Sequence, residues 1–393
     1  MPELTPTQRA LQSFKRNKLA VGGLVFIVVS VLIAVLGYLV MPDSTPDAND
    51  MTLQISLKKP GSSFTMLRIR KSNPVDTVGV FKRLWSGQAD FYVNVPITGY
   101  HFAKDSIIAD EYIGAEDKPE PKGYNIFEIV NGFKAAVTPV GTQPKLDDKA
   151  VQNYRDIIVK DQIVKKTYLL GTDLYGRDLL SRLILGTRIS LSVGLMAVLI
   201  SMVIGVTIGA MAGYYGGKID AALSWLMNIL WSLPALLLVI ALSFALGKGM
   251  WQIFIAVGLS MWVEVARLVR GQVMSLKQVE YIEAARAMGF SNYRIITRHI
   301  LPNITGPMLV LASSNFASAI LLEAGLSFLG FGAQPPMPTW GSMIREHYGY
   351  IIMDLAYLAV APGLAIMLMV YAFNLVTVGL RDAFDIKSQS ARL

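Results

Sequence analysis

The sequence EAARAMG at residues 283–289 is a short charged segment in a chain that is otherwise mostly apolar. It lies in a polar interval between two long apolar runs, and the dipeptide LP follows at residues 301–302. Glu, Ala, Arg and Met are good helix formers, so the segment is predicted to be helical. Its polarity indicates that it projects from a membrane between two spans.

The polar interval has the signals of two short helices joined by a turn. Ser275 is predicted to cap the first helix, and Gln278 has the spacing that completes a capping box. Gly289 is predicted to end this helix, and Ser291 to begin the second one. The second helix must stop or kink before Pro302, because proline lacks a backbone donor and the residue before it avoids the α region. The interval is therefore predicted to form a helix-turn-helix-like elbow.

The composition is that of a membrane protein. Of the 393 residues, 53% are hydrophobic and only 16% are charged, against about 25% charged in an average soluble domain. The net charge is +8, but the basic residues lie in loops beside apolar runs and not among aromatic residues on one face. The charge is therefore interpreted as a signal of orientation, and no nucleic-acid partner is predicted. The absence of cysteine excludes disulfides, thiolate zinc sites and cysteine nucleophiles.

Six apolar runs are long enough to cross a hydrocarbon core about 30 Å thick at a rise of about 1.5 Å per residue. They are residues 19–41, 189–212, 222–246, 251–269, 304–330 and 353–376. No small-x-small cleavage site follows Met41, so the first run is predicted to be a retained span and not a signal peptide. The predicted fold class is an all-α polytopic membrane protein with about six transmembrane helices.

Residues 42–165 are rich in Asp, Lys, Pro, Gly and Ser and contain no spanning run. The alternation of Leu53, Ile55 and Leu57 with polar residues predicts a strand, and residues 91–95 predict another. Residues 147–163 have helical spacing of apolar side chains. The segment is therefore predicted to be a small α+β extracytoplasmic insert between the first two transmembrane helices.

A second polar block, LGTDLYGRDLLSR, occupies residues 170–182. Either Thr172 or Asp173 is predicted to cap a short interfacial helix, and Gly176 to permit a tight turn. The carboxylates of Asp173 and Asp178 have arginines nearby in the sequence, so salt bridges explain them more simply than acid-base chemistry does.

The run at residues 189–212 is dense in small residues, and its glycines have spacings that allow close helix contact. They are Gly194, Gly205, Gly209 and, just beyond the run, Gly213. The turn that follows invites comparison with a phosphate-binding loop. It fails the comparison, since Ala212 takes the place of the first glycine and Ile219 that of the final Ser or Thr. No nucleotide site is encoded, so the chain itself is predicted to bind no ATP or Mg²⁺.

Polar residues inside the apolar runs are the candidates for a translocation path, because such groups are costly in a membrane. They are Asn228, Ser232, Asn315 and Glu323. Pro234 is predicted to kink the third span, either for packing alone or beside the path. Glu323 has two interpretations, a substrate contact or a carboxylate near the outer surface that pairs with Arg345.

Basic residues are concentrated in the short loops that alternate with the predicted spans. Those assigned to the inside are Arg9, Lys15, Arg16, Lys18, Lys218, Arg270, Lys277, Arg286, Arg294, Arg298, Arg381, Lys387 and Arg392. The short outside loops hold Lys248 and Arg345. This asymmetry predicts that both termini are cytoplasmic.

The polar interval resembles the EAA loop of binding-protein-dependent ABC transporter permeases, whose pattern is E-A-A, three residues, G, nine residues and I-x-L-P. The residues that fit in register are Glu283, Ala284, Ala285, Gly289, Leu301 and Pro302. His299 stands where the general pattern has Ile, and the run RHILPN at residues 298–303 looks like the peptide-transporter variant. The block at residues 170–182 and GLRDAFD at residues 379–385 are also similar to the C-subunit permeases of that branch.

The resemblance implies a type I ABC importer permease of a bacterial inner membrane, with no catalytic site and no metal. The partners it implies are a second homologous permease subunit, two ABC ATPase subunits that use ATP and Mg²⁺, an extracytoplasmic solute-binding protein, the lipid bilayer and a peptide substrate. Nickel chelates, glutathione and antimicrobial peptides remain alternative cargoes. The implied domains are the N-terminus and first helix at 1–41, the insert at 42–165, the permease core at 166–385 with its coupling loop at 271–302, and a cytoplasmic tail at 386–393.

Two other classes of function fit the sequence less well. An ion-coupled secondary transporter would be expected to have several central charges and internal repeats, and the spans here hold few charges. A membrane enzyme would need a catalytic constellation. The three histidines, His101, His299 and His347, are scattered among the insert, the inner loop and the outer loop, which argues against a single metal or catalytic site.

Overall fold

The computed structural model describes residues 6–114, 118–132, 147–247 and 249–384. Lys248 and the tail predicted at residues 386–393 lie outside this range. The described chain is mostly helical and carries one small sheet. Its α-helices are α1 (Pro6–Arg16), α2 (Lys18–Val40), α3 (Val80–Ser86), α4 (Ile126–Asn131), α5 (Asp148–Ile157), α6 (Leu179–Tyr215), α7 (Gly217–Trp231), α8 (Ala235–Leu246), α9 (Met250–Leu276), α10 (Glu280–Ala287), α11 (Asn292–Ile295), α12 (Thr305–Phe328), α13 (Trp340–His347) and α14 (Tyr357–Phe384).

Five helical segments of the described chain are long and apolar enough to span a membrane. They are Lys18–Val40, Leu179–Tyr215, Met250–Leu276, Asn292–Phe328 and Tyr357–Phe384. The bent pair α7 and α8 supplies a sixth if its two halves count as one span. The prediction of a helical polytopic membrane protein with about six spans is therefore confirmed.

The prediction that residues 222–246 form a single kinked helix is wrong. The chain breaks after Trp231, and α7 and α8 are bent by 94° relative to each other. Pro234 occupies the N-cap position of α8 with extended backbone angles (φ −59°, ψ 127°). Because proline donates no backbone hydrogen bond, the helix restarts after it and does not continue through it.

The described chain divides into two compact units. One consists of residues 35–185 and 346–358, and the other contains the remaining transmembrane helices. Each unit has its own buried apolar clusters.

A five-stranded antiparallel sheet forms the body of the first unit, in the order β4-β3-β2-β1-β5. The strands are β1 (Ser62–Arg70), β2 (Tyr92–Ala103), β3 (Ser106–Glu111), β4 (Glu120–Asn125) and β5 (Ile163–Tyr168). Leu67 of β1 is opposite Val95 of β2 and Ile163 of β5. Leu67 packs with Ile126 of α4 and with Ile158, which follows α5. The predicted small α+β insert is therefore confirmed, including the strand at residues 91–95 and a helix that begins beside Asp147.

The strand predicted from Leu53, Ile55 and Leu57 is wrong. Leu53–Ile55 is a single 3₁₀ turn, and Leu57 has a left-handed backbone conformation with φ of 56°. The Thr172 hydroxyl donates a 2.5 Å hydrogen bond to the carbonyl of Ile55 and accepts one from the amide of Lys58. These bonds take backbone groups that a strand would have used in a sheet.

The block at residues 170–182 forms a turn and no separate interfacial helix. The Asp173 carboxylate accepts hydrogen bonds from the amides of Tyr175 and Arg177, which closes the turn. Gly176 lies in it with φ of 71°, as predicted, and a Cβ added there would lie 1.8 Å from the carbonyl oxygen of Thr52, which leaves no room for a side chain. The capping role falls to Asp178, whose Oδ2 accepts from the amide of Ser181 in the first turn of α6.

In the second unit, α6 and α9 cross with backbones in close contact. A Cβ at Gly205 would lie 2.7 Å from the carbonyl oxygen of Trp262, and one at Gly209 would lie 2.4 Å from that of Ala266. Gly213 continues the same row against Arg270. The predicted role of these glycines in close helix contact is confirmed.

The amino-terminal helix packs near the end of α14. Phe14 of α1 clusters with Ala20 of α2 and with Val376 and Ala383 of α14. The start of α12 meets the same end of α14, because a Cβ at Gly306 would lie 2.7 Å from the ring of Phe384. The beginning of α2, the beginning of α12 and the end of α14 therefore lie at one face of this unit.

Candidate functional site

The elbow between α9 and α12 consists of two short helices around a glycine turn. Helix α10 ends just before Gly289, whose φ of 77° lies in the left-handed region that favours glycine. The Ser291 side chain accepts a hydrogen bond from the amide of Arg294 and caps α11. The predicted helix end at Gly289 and helix start at Ser291 are both confirmed.

The predicted cap at Ser275 is wrong. Ser275 lies inside the last turn of α9, and Val279 occupies the N-cap position of α10 without a side-chain hydrogen bond. Helix α9 continues this far because Val269 and Val273 bury their side chains against the elbow. Packing of this face outweighs a local cap, whose contribution is typically about 1 kcal/mol.

Pro302 changes the form of the helix without ending it. Residues Ile296–Ile300 form a π-helical turn, and Leu301–Ile304 form a 3₁₀ turn that leads into α12. Asn303 donates a 2.6 Å side-chain hydrogen bond to the carbonyl of His299 in this irregular stretch. The ring of His299 is stacked on that of Phe290, with centroids 5.9 Å apart. The histidine that departs from the general EAA pattern thus packs within the elbow.

The elbow has a buried face and an exposed face. Ile282 and Ala285 of α10 and Ile295 of α11 are buried in one cluster, to which α6 contributes Ala210 and α9 contributes Val269. Leu301 packs at the margin of this cluster. The exposed face carries Glu283, Ala284, Met288, Gly289, Tyr293 and Pro302. The motif residues therefore divide, with Ala285 anchoring the elbow and Glu283, Ala284 and Gly289 exposed.

Tyr214, in the last turn of α6, connects that helix to both halves of the elbow. Its hydroxyl donates a 2.8 Å hydrogen bond to Oδ1 of Asn292 in α11. The Arg286 guanidinium of α10 lies 5.8 Å from the centre of the Tyr214 ring, and the Lys277 ammonium lies 5.6 Å from it. Cation–π contacts of this kind contribute about 0.5–1 kcal/mol at exposed sites. Sequence reasoning missed Tyr214, because its only local signal is an aromatic residue at the end of a span.

The four predicted path residues do not form one group. Asn228 and Ser232 are exposed near the break between α7 and α8, and Asn228 accepts a 2.8 Å hydrogen bond from Arg267. Asn315 and Glu323 are instead buried in α12, each with 1% of its surface exposed. Among the described residues, no hydrogen bond joins any two of the four.

Glu323 is a buried connection between helices. Its Oε1 accepts a 2.7 Å hydrogen bond from Ser327 in the next turn of α12, and its Oε2 accepts a 3.2 Å bond from Ser190 of α6. The predicted ion pair with Arg345 is not found among the described residues. The guanidinium of Arg345 instead packs against Gly330, where an added Cβ would lie 2.7 Å from Nη1.

Asp173, Glu346 and His347 approach one another in the first unit with the geometry of a metal-ligand set. Two buried arginines already neutralise the carboxylates, since Arg177 lies 2.6 Å from Asp173 and 3.1 Å from Glu346. Arg182 is 3.4 Å from Asp173. A cation at this position would be repelled by two guanidinium groups, so the donor set does not suit a metal. The cluster is an ion-pair network, as predicted for Asp173; Asp178 instead bonds to Ser181.

Comparison with known proteins identifies the family. The sequence profile of the binding-protein-dependent transport system inner membrane component matches residues 205–388. The profile of the N-terminal TM domain of oligopeptide transport permease C matches residues 5–60. The two profiles thus flank and exclude most of the sheet-containing insert.

Three permease proteins of known transport systems are similar to this chain in sequence. The glutathione transport system permease protein GsiD of Pectobacterium atrosepticum is 43% identical over 210 residues, which are 53% of this chain and 69% of the relative. The dipeptide transport system permease protein DppC of Alkalihalophilus pseudofirmus is 44% identical, with the same coverage of 53% and 69%. The oligopeptide transport system permease protein OppC of Haemophilus influenzae is 42% identical, with coverage of 53% and 67%. This chain belongs to the family of binding-protein-dependent transport system inner membrane components, multi-pass permease subunits of ABC transporters.

Proposed function

We propose that this chain is one transmembrane subunit of an ATP-driven importer that carries short peptides across a bacterial cytoplasmic membrane. The exposed face of the elbow is proposed as the surface through which the chain receives energy from its ATPase partners. The observation that carries this proposal is the division of the elbow between Ile282 and Ala285, which are buried against α6 and α9, and Glu283 and Ala284, which are exposed.

This arrangement suits the transmission of force. A helix that is fixed on one side by a packed cluster moves together with the helices behind it, because close-packed interiors deform little. A partner that binds the exposed face of α10 and then moves would therefore displace α6 and α9 as well. ATP-driven closure of an ATPase pair would then move the membrane helices between inward-open and outward-open states as packed bodies.

The proposed assembly has several components. Separate ATPase subunits would bind ATP and Mg²⁺, because the turn after Gly213 has no phosphate-binding loop. A second homologous permease subunit would complete the pathway, and an extracytoplasmic solute-binding protein would deliver the cargo. Under this proposal the chain is a transport subunit without an ATPase site of its own.

The contacts near the termini support a cytoplasmic location for both ends. Phe14 of α1 clusters with Val376 of α14, and Phe384 lies beside Gly306, which follows the elbow. The elbow carries Arg286, Arg294 and other basic residues, which favour the cytoplasmic side. We therefore place the elbow and both termini in the cytoplasm, and the sheet-containing insert outside.

The proposed cargo follows from what the relatives are named for. Their names specify glutathione, dipeptides and oligopeptides, all of which are short peptides. Asn228 and Ser232 are proposed to line the path, because both are exposed where α7 and α8 diverge. Asn315 and Glu323 would reach the path only in a conformation in which α12 separates from its neighbours.

Substitution of Gly289 by Leu tests the coupling surface. A Cβ there meets no atom within 4 Å in the isolated chain, so the variant should fold and insert into the membrane. The Leu side chain would instead clash with an ATPase subunit bound to this face. The matched control is Gly216→Leu, since Gly216 also has a positive φ, 67°, and open space around it. Both substitutions place a side chain on a glycine of positive φ with open space around it, but only Gly289 lies in the elbow.

The measurements are membrane content, ATP hydrolysis stimulated by the binding protein, and peptide uptake in proteoliposomes that contain the complete transporter. We expect Gly289→Leu to abolish stimulated hydrolysis and uptake while Gly216→Leu retains most of both. Equal activity of the two variants would refute the coupling role of this face.

A further inference from the structure

Helix α3 of the insert presents its apolar side outward. Its sequence, VFKRLWS, places Val80, Phe81, Leu84 and Trp85 within an arc of about 140° at 100° per residue, opposite Lys82 and Arg83. The side chain of Phe81 is 90% exposed and that of Trp85 is 77% exposed. An amphipathic helix on the surface of a soluble protein normally packs its apolar side against the core. Here no residue of α3 is buried.

The end of α3 is fixed beside the outer end of the first span. Gly87 follows α3 directly, and a Cβ there would lie 2.7 Å from the ring of Tyr38. The amide of Gln88 donates a 2.9 Å hydrogen bond to the carbonyl of Ser44. Tyr38 belongs to the last turn of α2, which ends at Val40. Helix α3 therefore lies at the level where this span leaves the hydrocarbon core.

A closed loop holds α3 in this position. The Gln88 side chain accepts a 2.9 Å hydrogen bond from the amide of Val78 and donates a 3.0 Å bond to the carbonyl of Asp76. These bonds join the two ends of the segment that contains α3. The apolar side of α3 is therefore exposed in a segment that is held at both ends, and its exposure is not explained by a loosely attached loop.

We propose that α3 is an interfacial anchor that lies in the headgroup layer of the outer leaflet. Phe81 and Trp85 would enter the boundary between headgroups and acyl chains, where amphipathic helices bury their apolar side and aromatic residues are enriched. Lys82 and Arg83, on the opposite side, would reach lipid phosphates, as cationic side chains do near anionic membranes. The anchor would fix the height of the insert above the bilayer at a second point besides α2.

A lipid occupant fits these observations better than a protein partner does. Gly87, directly after α3, lies beside Tyr38 at the end of the first span. At this level a soluble protein would have to displace lipid headgroups to reach Phe81 and Trp85. The combination of aromatic and cationic side chains in one turn also matches the two chemical layers of the membrane surface. The proposal depends on the membrane location of the chain and not on its transport activity.

Depth measurement by spin labelling tests the proposal, and the chain is suited to it because it contains no cysteine. Phe81→Cys and Trp85→Cys are labelled separately in the full chain, reconstituted in phosphatidylglycerol-containing nanodiscs. The control is Ala103→Cys. Ala103 is exposed and is the last residue of β2, whereas α3 precedes the first residue of that strand, Tyr92. Collision rates with oxygen, which partitions into lipid, and with a water-soluble nickel chelate are then compared.

We expect the oxygen-to-nickel collision ratio to be several-fold higher at residues 81 and 85 than at residue 103. A ratio equal to that of the control would show α3 in water and overturn the proposal. Protection from both reagents at residues 81 and 85 would show a protein partner over α3 and would also overturn it.

The cationic side of α3 is tested with the same label. Phosphatidylglycerol should place the label at residue 85 deeper than a purely zwitterionic lipid does, and the double variant Lys82→Gln, Arg83→Gln should remove this difference. Persistence of the full difference in the double variant would overturn the contact of these two residues with phosphate.

Discussion

The hydroxyl of Tyr214 donates a 2.8 Å hydrogen bond to Oδ1 of Asn292, which joins the last turn of α6 to the first residue of α11. The elbow is therefore attached to α6 by a directed polar bond as well as by the apolar cluster around Ile282. The angular preference of a hydrogen bond constrains orientation in addition to the close packing that fixes the position of the elbow.

Tyr214→Phe should reduce coupling without preventing assembly. The substitution keeps the ring and its contacts with Lys277 and Arg286 but removes a hydrogen bond of about 0.5–1.5 kcal/mol. We expect peptide uptake per ATP hydrolysed to fall several-fold in proteoliposomes that contain the complete transporter. The matched control is Tyr215→Phe, which changes the neighbouring exposed tyrosine, and a similar loss in both variants would contradict the role given to Tyr214.

The parts of the elbow that sequence predicts correctly depend on single residues. Gly289 ends a helix because it tolerates a positive φ, and Ser291 begins one because its side chain accepts a backbone amide. Ser275 carries an equally good local signal, yet the burial of Val273 extends α9 past it. The Tyr214–Asn292 bond joins residues 78 positions apart, so no local sequence pattern predicts it.

The same contrast applies to the insert and the spans. The strand at Tyr92–Ala103 is long and rich in β-forming residues, whereas the alternation of Leu53, Ile55 and Leu57 is too short to distinguish a strand from a 3₁₀ turn. Pro234 announces a break in the third span, but the 94° bend depends on how α7 and α8 pack. Composition predicts the number of spans because the bilayer imposes their length.

Gly209→Leu should disrupt the crossing of α6 and α9. An added Cβ would lie 2.4 Å from the Ala266 carbonyl oxygen and 2.9 Å from Cβ of Val269, and neither backbone can move without shifting the helix. Overpacking of this kind typically costs about 1–3 kcal/mol. We expect less monodisperse protein and a lower melting temperature in detergent. Gly363→Leu in α14, where a Cβ meets no atom within 4 Å, is the control and should behave like the wild type.

Substitutions of Glu323 distinguish a scaffold from a substrate contact. Glu323→Ala removes the acceptors of the Ser190 and Ser327 hydroxyls and leaves buried donors unsatisfied, at a cost of about 1–3 kcal/mol. Glu323→Gln keeps an acceptor and a similar shape. We expect the Ala variant to melt at a lower temperature and the Gln variant to retain both melting temperature and uptake. A Gln variant that melts normally but loses uptake would instead assign Glu323 to the path.

The Asp178 carboxyl is predicted to make stability depend on pH. Burial raises its pKa above the ordinary value, and hydrogen bonds from Ser181 oppose this effect only in part. Both bonds reach Oδ2, while Oδ1 is buried without a hydrogen-bond partner among the described residues. A carboxyl with a higher pKa in the folded state contributes stability at low pH that is lost as the pH rises through that pKa.

Asp178→Asn should therefore stabilise the chain relative to the wild type as the pH rises. The Asn side chain keeps an acceptor for Ser181 and carries no charge that burial would penalise. We expect the difference in melting temperature between the variant and the wild type to increase in favour of the variant from about pH 4 to about pH 8. Asp76→Asn, at an exposed position of the same unit, should show no such trend. A difference for Asp178→Asn that stayed constant over this range would show that the folded and unfolded states bind the same number of protons at this carboxyl, so that burial does not raise its pKa.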